Sequence, residues 1–140
     1  MGNTVEKEGK IIMSYGYKKI INDGFEETEA KVRDALTEHS FGVITEIDVR
    51  NTFKQKLDID FNKYKILGAC QPQIAHAALS LDKQIGLLLP CNVVLWENDD
   101  GTTTVAAINA YAQLALAEID ELIDHATEVN EKLKAVLDCL

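Results

Sequence analysis

The stretch 64–97 constrains the fold more than any other part of the sequence, because it holds two apolar strand patterns with a helical pattern between them. YKILGAC predicts a strand over 64–70. Pro72 then stands where proline is favoured, in the first turn of a helix, and the helix is predicted to run to about residue 82. The run IGLLLPCNVVLWE, 85–97, is apolar almost throughout, but Pro90 interrupts it and predicts a bulge or a sheet edge there.

Other periodicities predict elements on both sides of this stretch. Strands are expected over 11–21, 41–49 and 102–108, and helices over 24–39 and 50–57. The sequence NDDG, 98–101, predicts a hairpin turn before the last of these strands. Asp23 stands three residues before Glu26, which predicts a capping box at the start of the first helix.

The C-terminal third carries one long amphipathic stripe. Between Ile119 and Leu140 the apolar residues recur at alternating spacings of three and four, which predicts a long helix. The stripe favours a helix that covers a sheet, although a seam this regular could also bind a helical partner.

The order of these elements predicts an α/β (α+β) fold. Helices alternate with strands early in the chain and a hairpin follows late, so we expect two layers: a mixed β-sheet of about five strands with helices packed on it, including the long C-terminal helix. The polar residues 1–10 are expected to form a flexible tail, and residues 11–140 a single domain.

Charge and composition argue against several classes of function. The formal net charge is −9, from 14 basic and 23 acidic residues, and no cluster of Lys and Arg stands out. Binding to nucleic acid or to an anionic membrane surface would need such a cluster. No apolar run approaches the ~18 residues of a membrane span. The odd number of cysteines argues against a disulfide scaffold, so a reducing, cytoplasmic location is the simplest expectation.

Two cysteines and one histidine of the stretch 64–97 form the candidate site. Cys70 lies where a strand ends and a helix begins, so free backbone N–H groups and the helix dipole would favour its thiolate. His76 lies in about the second turn of the same helix. Cys91 follows Pro90, and it could approach Cys70 if the strands before and after the helix are neighbours.

These residue types fit two kinds of chemistry and one structural alternative. If the three side chains meet, two thiols and an imidazole would bind a soft transition metal or haem iron, or would support thiol redox chemistry. Alternatively, Cys70 would be a nucleophile and His76 its base. The structural alternative makes the cysteines small buried hydrophobes and His76 a buried, hydrogen-bonded histidine. Cys139 is expected to play no part, and His39 and His125 are expected on helix surfaces.

The same residues carry a resemblance to a known family. FGVITEIDV, YKILGACQPQIAHAAL and IGLLLPCNVVLWE closely resemble the domain-of-unknown-function 302 family, over about residues 11–138. The resemblance implies a compact two-layer α/β domain with a mixed sheet and a homodimer. It implies no activity, because the family has none assigned. The Cys, His and Cys of the family fall on Cys70, His76 and Cys91.

We therefore predict a homodimeric cytoplasmic binding or redox module. It would use Cys70, His76 and Cys91 to bind a soft metal, haem or a sulfur-containing small molecule. Two alternatives stay open: a thiol-dependent enzyme that uses Cys70 and His76, and a purely structural or partner-binding dimer.

Overall fold

An antiparallel sheet forms the centre of the fold in the computed structural model, which describes residues 4–5 and 9–140. The described strands are β1 (Thr4–Val5), β2 (Ile11–Ile12), β3 (Gly16–Ile21), β4 (Gly42–Asp48), β5 (Tyr64–Cys70), β6 (Cys91–Glu97) and β7 (Thr103–Ile108). They lie in the order β1-β2-β3-β7-β6-β5-β4. The predicted α/β class is confirmed. The described sheet has seven strands, and all of its pairs are antiparallel where a mixed sheet of about five strands was expected.

The two longest helices cover one face of this sheet. The described α-helices are α1 (Phe25–Glu38), α2 (Val49–Leu57), α3 (Pro72–Leu81), α4 (Ala110–Ala115) and α5 (Ile123–Asp138), with 3-10 helices at Lys83–Leu88 and Asp120–Leu122. The helices α1 and α5 pack on the sheet and on each other. None of the helices in the described part of the chain is long and apolar enough to cross a membrane.

The core lies between the sheet and the helices α1 and α5. Alternate residues of the central strands point toward these helices and are fully buried, as Leu67, Leu95 and Val105 show. A second, smaller cluster joins α3, α4, the start of α5 and the 3-10 helices. Its buried members are Ala78, Ile85, Leu114, Leu122 and Ala126. Together the two clusters hold α3 at the end of β5, where the candidate site lies.

Several predicted bounds differ from the structure. The predicted strand 11–21 is a hairpin, in which the Met13 N–H donates to the Gly16 carbonyl at 2.8 Å. The run 85–97 contains a 3-10 helix and then β6, which begins directly after Pro90 and lies between β5 and β7. The prediction of a bulge or a sheet edge at Pro90 is therefore wrong. The long C-terminal helix is confirmed, but it begins at Ile123 and not near Ile119.

The ends of two elements also correct the sequence analysis. The N-cap of α1 is Gly24 without a side-chain cap, and the Asp23 carboxylate pairs with Lys31, so the predicted capping box is wrong. Within the predicted tail, β1 pairs with β2, and the buried Lys10 bonds to Asp138 at 2.8 Å. The rest of that tail lies outside the described residues.

The sheet face that points away from α1 and α5 is called here the open sheet face. Its outward positions on the central strands are Lys18 and Ile20 of β3, Thr104, Ala106 and Ile108 of β7, Asn92, Val94 and Trp96 of β6, and Tyr64 and Ile66 of β5. An aromatic row from Phe53 of α2 to Trp96 covers one end of it. The rest is uncovered: Ile20 lies in the same cross-strand row as Thr104 and Trp96 and is 58% exposed, and Tyr15, just before β3, is 68% exposed.

Candidate functional site

The strands β5 and β6 bring two cysteines to one end of the sheet. They are antiparallel neighbours with Ala69 opposite Cys91, so Cys70 lies diagonally across from Cys91. The expectation that these strands are neighbours is confirmed. Gly68 has no Cβ, which this packing requires: a Cβ there would collide with the Thr45 hydroxyl of β4 and would lie only 2.8 Å from Pro90 Cγ. The glycine therefore lets the segment before β6 approach β5 and sets the position of Cys91.

Both cysteines line one small cavity at this end of the sheet. Its volume is about 30 Å³, more than the roughly 10–15 Å³ that one water molecule needs. The lining residues come from β5, β6, α3, α4, α5 and the segments before β4 and β6, and they are almost all apolar. They are Phe41, Ala69, Cys70, Gln71, Ile74, Ala75, Ala78, Leu89, Pro90, Cys91, Leu114 and Val129.

Removal from water keeps both thiols of the cavity protonated. Cys91 is buried and Cys70 is half-buried. Burial raises the pKa of Cys70 above its ordinary value. Burial, together with the neighbouring Cys70, raises the pKa of Cys91 to about 11. This direction is opposite to the expectation that the N-terminus of α3 would favour a Cys70 thiolate, and its cause is the burial of the thiol.

His76 does not join the two cysteines. It is exposed, and it lines a different groove with Leu79, Ser80, Leu81, Asp82 and Lys83. The side of α3 that lines the cavity carries Ile74, Ala75 and Ala78 instead. The alternative of a buried His76 is wrong as well. No three His, Cys, Asp or Glu side chains of residues 4–5 and 9–140 are placed to hold one metal ion together.

Gln71 is a polar residue of the cavity that sequence reasoning missed. It is 8% exposed, and its Nε2 donates to the His39 carbonyl at 3.1 Å. Its Oε1 is buried and accepts no hydrogen bond from the described residues. A buried carbonyl without a donor costs about 1–3 kcal/mol. The one signal in the sequence is weak: Gln71 occupies the N-cap of α3, where Ser, Thr, Asp and Asn are preferred.

A second cysteine–histidine pair lies outside the cavity. The Cys139 Sγ is 4.0 Å from His39 Nε2, and His39 Nδ1 is 2.8 Å from the Ala35 carbonyl. A carbonyl only accepts, so Nδ1 carries a proton, and in the neutral imidazole Nε2 is the acceptor that faces the thiol. Cys139 and His39 are remote in sequence, which is why their pairing was not predicted.

The comparisons with known proteins give a family and a fold. The family model "Domain of unknown function DUF302" matches residues 17–140. The chain belongs to the DUF302 family. The resemblance found in the sequence is thereby confirmed.

A solved structure supports the same assignment of this DUF302 protein. The crystal structure of an uncharacterized conserved DUF302 protein from Bacillus stearothermophilus matches it with a TM-score of 0.81 and 26% sequence identity. The match covers 91% of this chain and 98% of that chain. Among curated proteins, nothing matches.

Proposed function

We propose that this DUF302 protein is a cytoplasmic binding module whose cavity takes up the sulfur-bearing group of a small molecule. The observation that carries the proposal is the shared cavity of Cys70 and Cys91. Two neutral, polarisable thiols and aliphatic walls favour a soft, uncharged group such as a thiol or thioether. A donor on the ligand would satisfy Gln71 Oε1. The three free cysteines fit a reducing compartment.

The other predicted chemistries fit this cavity less well. A soft metal would find the sulfur atoms of Cys70 and Cys91 but not the imidazole of His76, which lines another groove. Haem is a drug-sized ligand, and sites for such ligands span on the order of 300–1,000 Å³. A nucleophilic Cys70 would need a lowered pKa and a histidine in reach, whereas burial raises the pKa of this thiol.

Matched sulfur and oxygen ligands test the proposal. We expect ethanethiol to shift the backbone amide NMR signals of Ala69 and Cys91 saturably, and ethanol to leave them unchanged. Cys91→Val should abolish the ethanethiol response, because the added methyl group fills the cavity. Cys139→Ser, which lies outside the cavity, should keep it.

Three results would contradict this function. The first is equal binding of ethanethiol and ethanol, and the second is the absence of any saturable shift. The third is a stoichiometric complex with Cu(I) or Zn(II) that disappears in Cys70→Ala while ethanethiol does not bind; this result would restore the metal prediction.

We also infer that two copies associate through the open sheet face. The uncovered part of this face is apolar, with a groove of about 160 Å³ next to Tyr15, Val94 and Ile108. Lys18 is the charged side chain among the outward positions of the described central strands, although the chain has a net charge of −9. A second copy can therefore meet this face without bringing carboxylates together.

Ile20→Asp tests this association, because it places a charge on the uncovered part of the face. Sedimentation velocity should show a dimer for the wild type and a monomer for Ile20→Asp. Leu116→Asp is the matched control, since Leu116 is 73% exposed and follows α4, away from this face. A dimer that survives Ile20→Asp, or a wild type that is monomeric throughout, would contradict the inference.

A further inference from the structure

A polar groove adjoins the thiol cavity, and two residues belong to both. Gln71 and Ile74 line the cavity and also line this groove, so the two spaces meet at their side chains. The groove has a volume of about 390 Å³, within the range of roughly 300–1,000 Å³ for small-molecule sites. Its remaining lining residues are Ser40, Pro72, Gln73, Glu128 and Lys132.

The groove presents one carboxylate and one ammonium group side by side. Glu128 and Lys132 stand one turn apart on α5, and Lys132 Nζ lies 3.8 Å from Glu128 Oε2. A charge-assisted hydrogen bond would measure about 2.7–2.9 Å, so the two groups are near each other without a tight bond. Both side chains are partly exposed. Lys132 can therefore bind a carboxylate while Glu128 binds an ammonium group.

We propose that this DUF302 protein binds a zwitterionic thiol of the cysteine type, with its thiol in the cavity and its charged end in the groove. Lys132 pairs with the ligand carboxylate, and Glu128 pairs with the ligand ammonium group. Gln71 lines both spaces, and its unpartnered Oε1 accepts a hydrogen bond from the ligand when the side chain turns toward it. The ligand is neutral overall, so a chain of net charge −9 does not repel it.

This inference rests on the proposed function, because the cavity must accept a sulfur group. It goes further, since ethanethiol has no charged end. Two independent features of the structure support it: the buried, unpartnered Gln71 Oε1 and the opposite charges of Glu128 and Lys132.

Isothermal titration calorimetry with four matched ligands tests the inference, in a buffer whose reductant is a phosphine. L-cysteine should bind one molecule per chain. Serine lacks the sulfur, cysteamine lacks the carboxylate, and 3-mercaptopropionate lacks the ammonium group. Each of these should bind about tenfold or more weakly, because each loses one charge-assisted or soft contact.

Variants then assign each contact to one residue. Lys132→Met should weaken cysteine about tenfold and leave cysteamine unchanged. Glu128→Gln should weaken the binding of cysteine about tenfold and leave the binding of 3-mercaptopropionate unchanged. Gln71→Leu should weaken all three thiols. Glu131→Gln is the control, since Glu131 is exposed on α5 outside the groove.

The outcomes separate this inference from the proposed function. Equal affinities for cysteine, cysteamine and 3-mercaptopropionate would overturn the zwitterion inference while the sulfur-binding function stands. Equal affinities for cysteine and serine would overturn both, because the sulfur would then contribute nothing. Ethanethiol binding without any cysteine binding would overturn only the inference.

Discussion

The folded chain holds the proton of Cys91 more tightly than the unfolded chain does. Its pKa is raised by burial from 9.0 to about 11, so protonation favours the folded state. This stabilisation is fully present below pH 9 and is lost as the pH rises through the folded pKa. We expect the unfolding free energy of the wild type to fall by about 2 kcal/mol more than that of Cys91→Ala between pH 8 and 11.

Urea unfolding across that pH range measures the difference. The lysines and tyrosines titrate in both proteins, so subtraction of the Cys91→Ala values isolates the thiol. Cys139→Ala is the control and should keep the wild-type pH dependence, because Cys139 is exposed. Parallel pH curves for wild type and Cys91→Ala would contradict the prediction.

Cys139 should be the thiol that reacts first with a small aromatic disulfide reagent. It is exposed, and His39 Nε2 faces it as a proton acceptor, whereas burial raises the pKa values of Cys70 and Cys91. His39→Gln should slow the fast phase by roughly threefold to tenfold. Stopped-flow absorbance at pH 7.5 measures the phases. If Cys139→Ser keeps the fast phase, the assignment is wrong.

These residues show how far single-residue reasoning reaches. The position of Cys70 at a strand end could be predicted, because Pro72 marks where the helix starts. Its desolvation could not, because Leu89, Leu114 and Val129 come to the cavity from segments remote in sequence. Local position alone therefore predicted a pKa shift of the wrong sign.

At the scale of elements, Asn130 ties α5 to two other parts of the fold. It is buried, its Oδ1 accepts from the Ala110 N–H at 3.0 Å, and its Nδ2 donates to the Tyr17 hydroxyl at 2.9 Å. Asn130→Ala leaves both partners buried and unpaired, so it should lower the unfolding free energy by about 2–4 kcal/mol. Tyr17→Phe removes one of these bonds and should cost about 1 kcal/mol.

Urea denaturation measures both variants. Glu131→Ala, one position further along the same helix and exposed, should stay within about 0.5 kcal/mol of the wild type. An Asn130→Ala protein as stable as Glu131→Ala would show that these bonds do not fasten the helix.

Element bounds could be predicted where one periodicity was unambiguous. The strand predicted over 64–70 has those bounds in the structure. The run 85–97 was misassigned at its start, because short apolar runs do not distinguish a packed 3-10 helix from a strand. The helix α4 was missed because its six residues, AYAQLA, are too few to show an apolar period. The stripe from Ile119 to Leu140 continued through a 3-10 turn, so the predicted helix was too long.

At the scale of the whole molecule, strand order could not be derived from the sequence. Alternating helices and strands suggested that some consecutive strands would lie parallel. The structure instead places β7 beside β3, and three strands separate β3 from β4, although only α1 joins them in sequence. Such long-range pairing depends on how the full set of apolar faces packs. The open sheet face is a consequence of this order.

The proposed dimer should strengthen with salt. Each copy carries a net charge of −9, so two copies repel each other at low ionic strength. Lys18 is the charged side chain among the outward positions of the open sheet face on the described central strands, so no opposite charges across it offset this repulsion. Raising NaCl from 20 to 300 mM screens the repulsion and should lower the dimer dissociation constant by roughly threefold to tenfold. Sedimentation equilibrium measures the constant.

Two variants test whether the salt dependence of the dimer dissociation constant arises at the open sheet face. Lys18→Met should still dimerise more tightly at higher salt, because Lys18 makes no ion pair across the proposed interface. Ile20→Asp should stay monomeric at both salt concentrations, since screening does not restore the apolar contact. A dissociation constant that rises with salt would instead mean that ion pairs hold the dimer, and the interface would then have to lie on the charged helical side of the molecule.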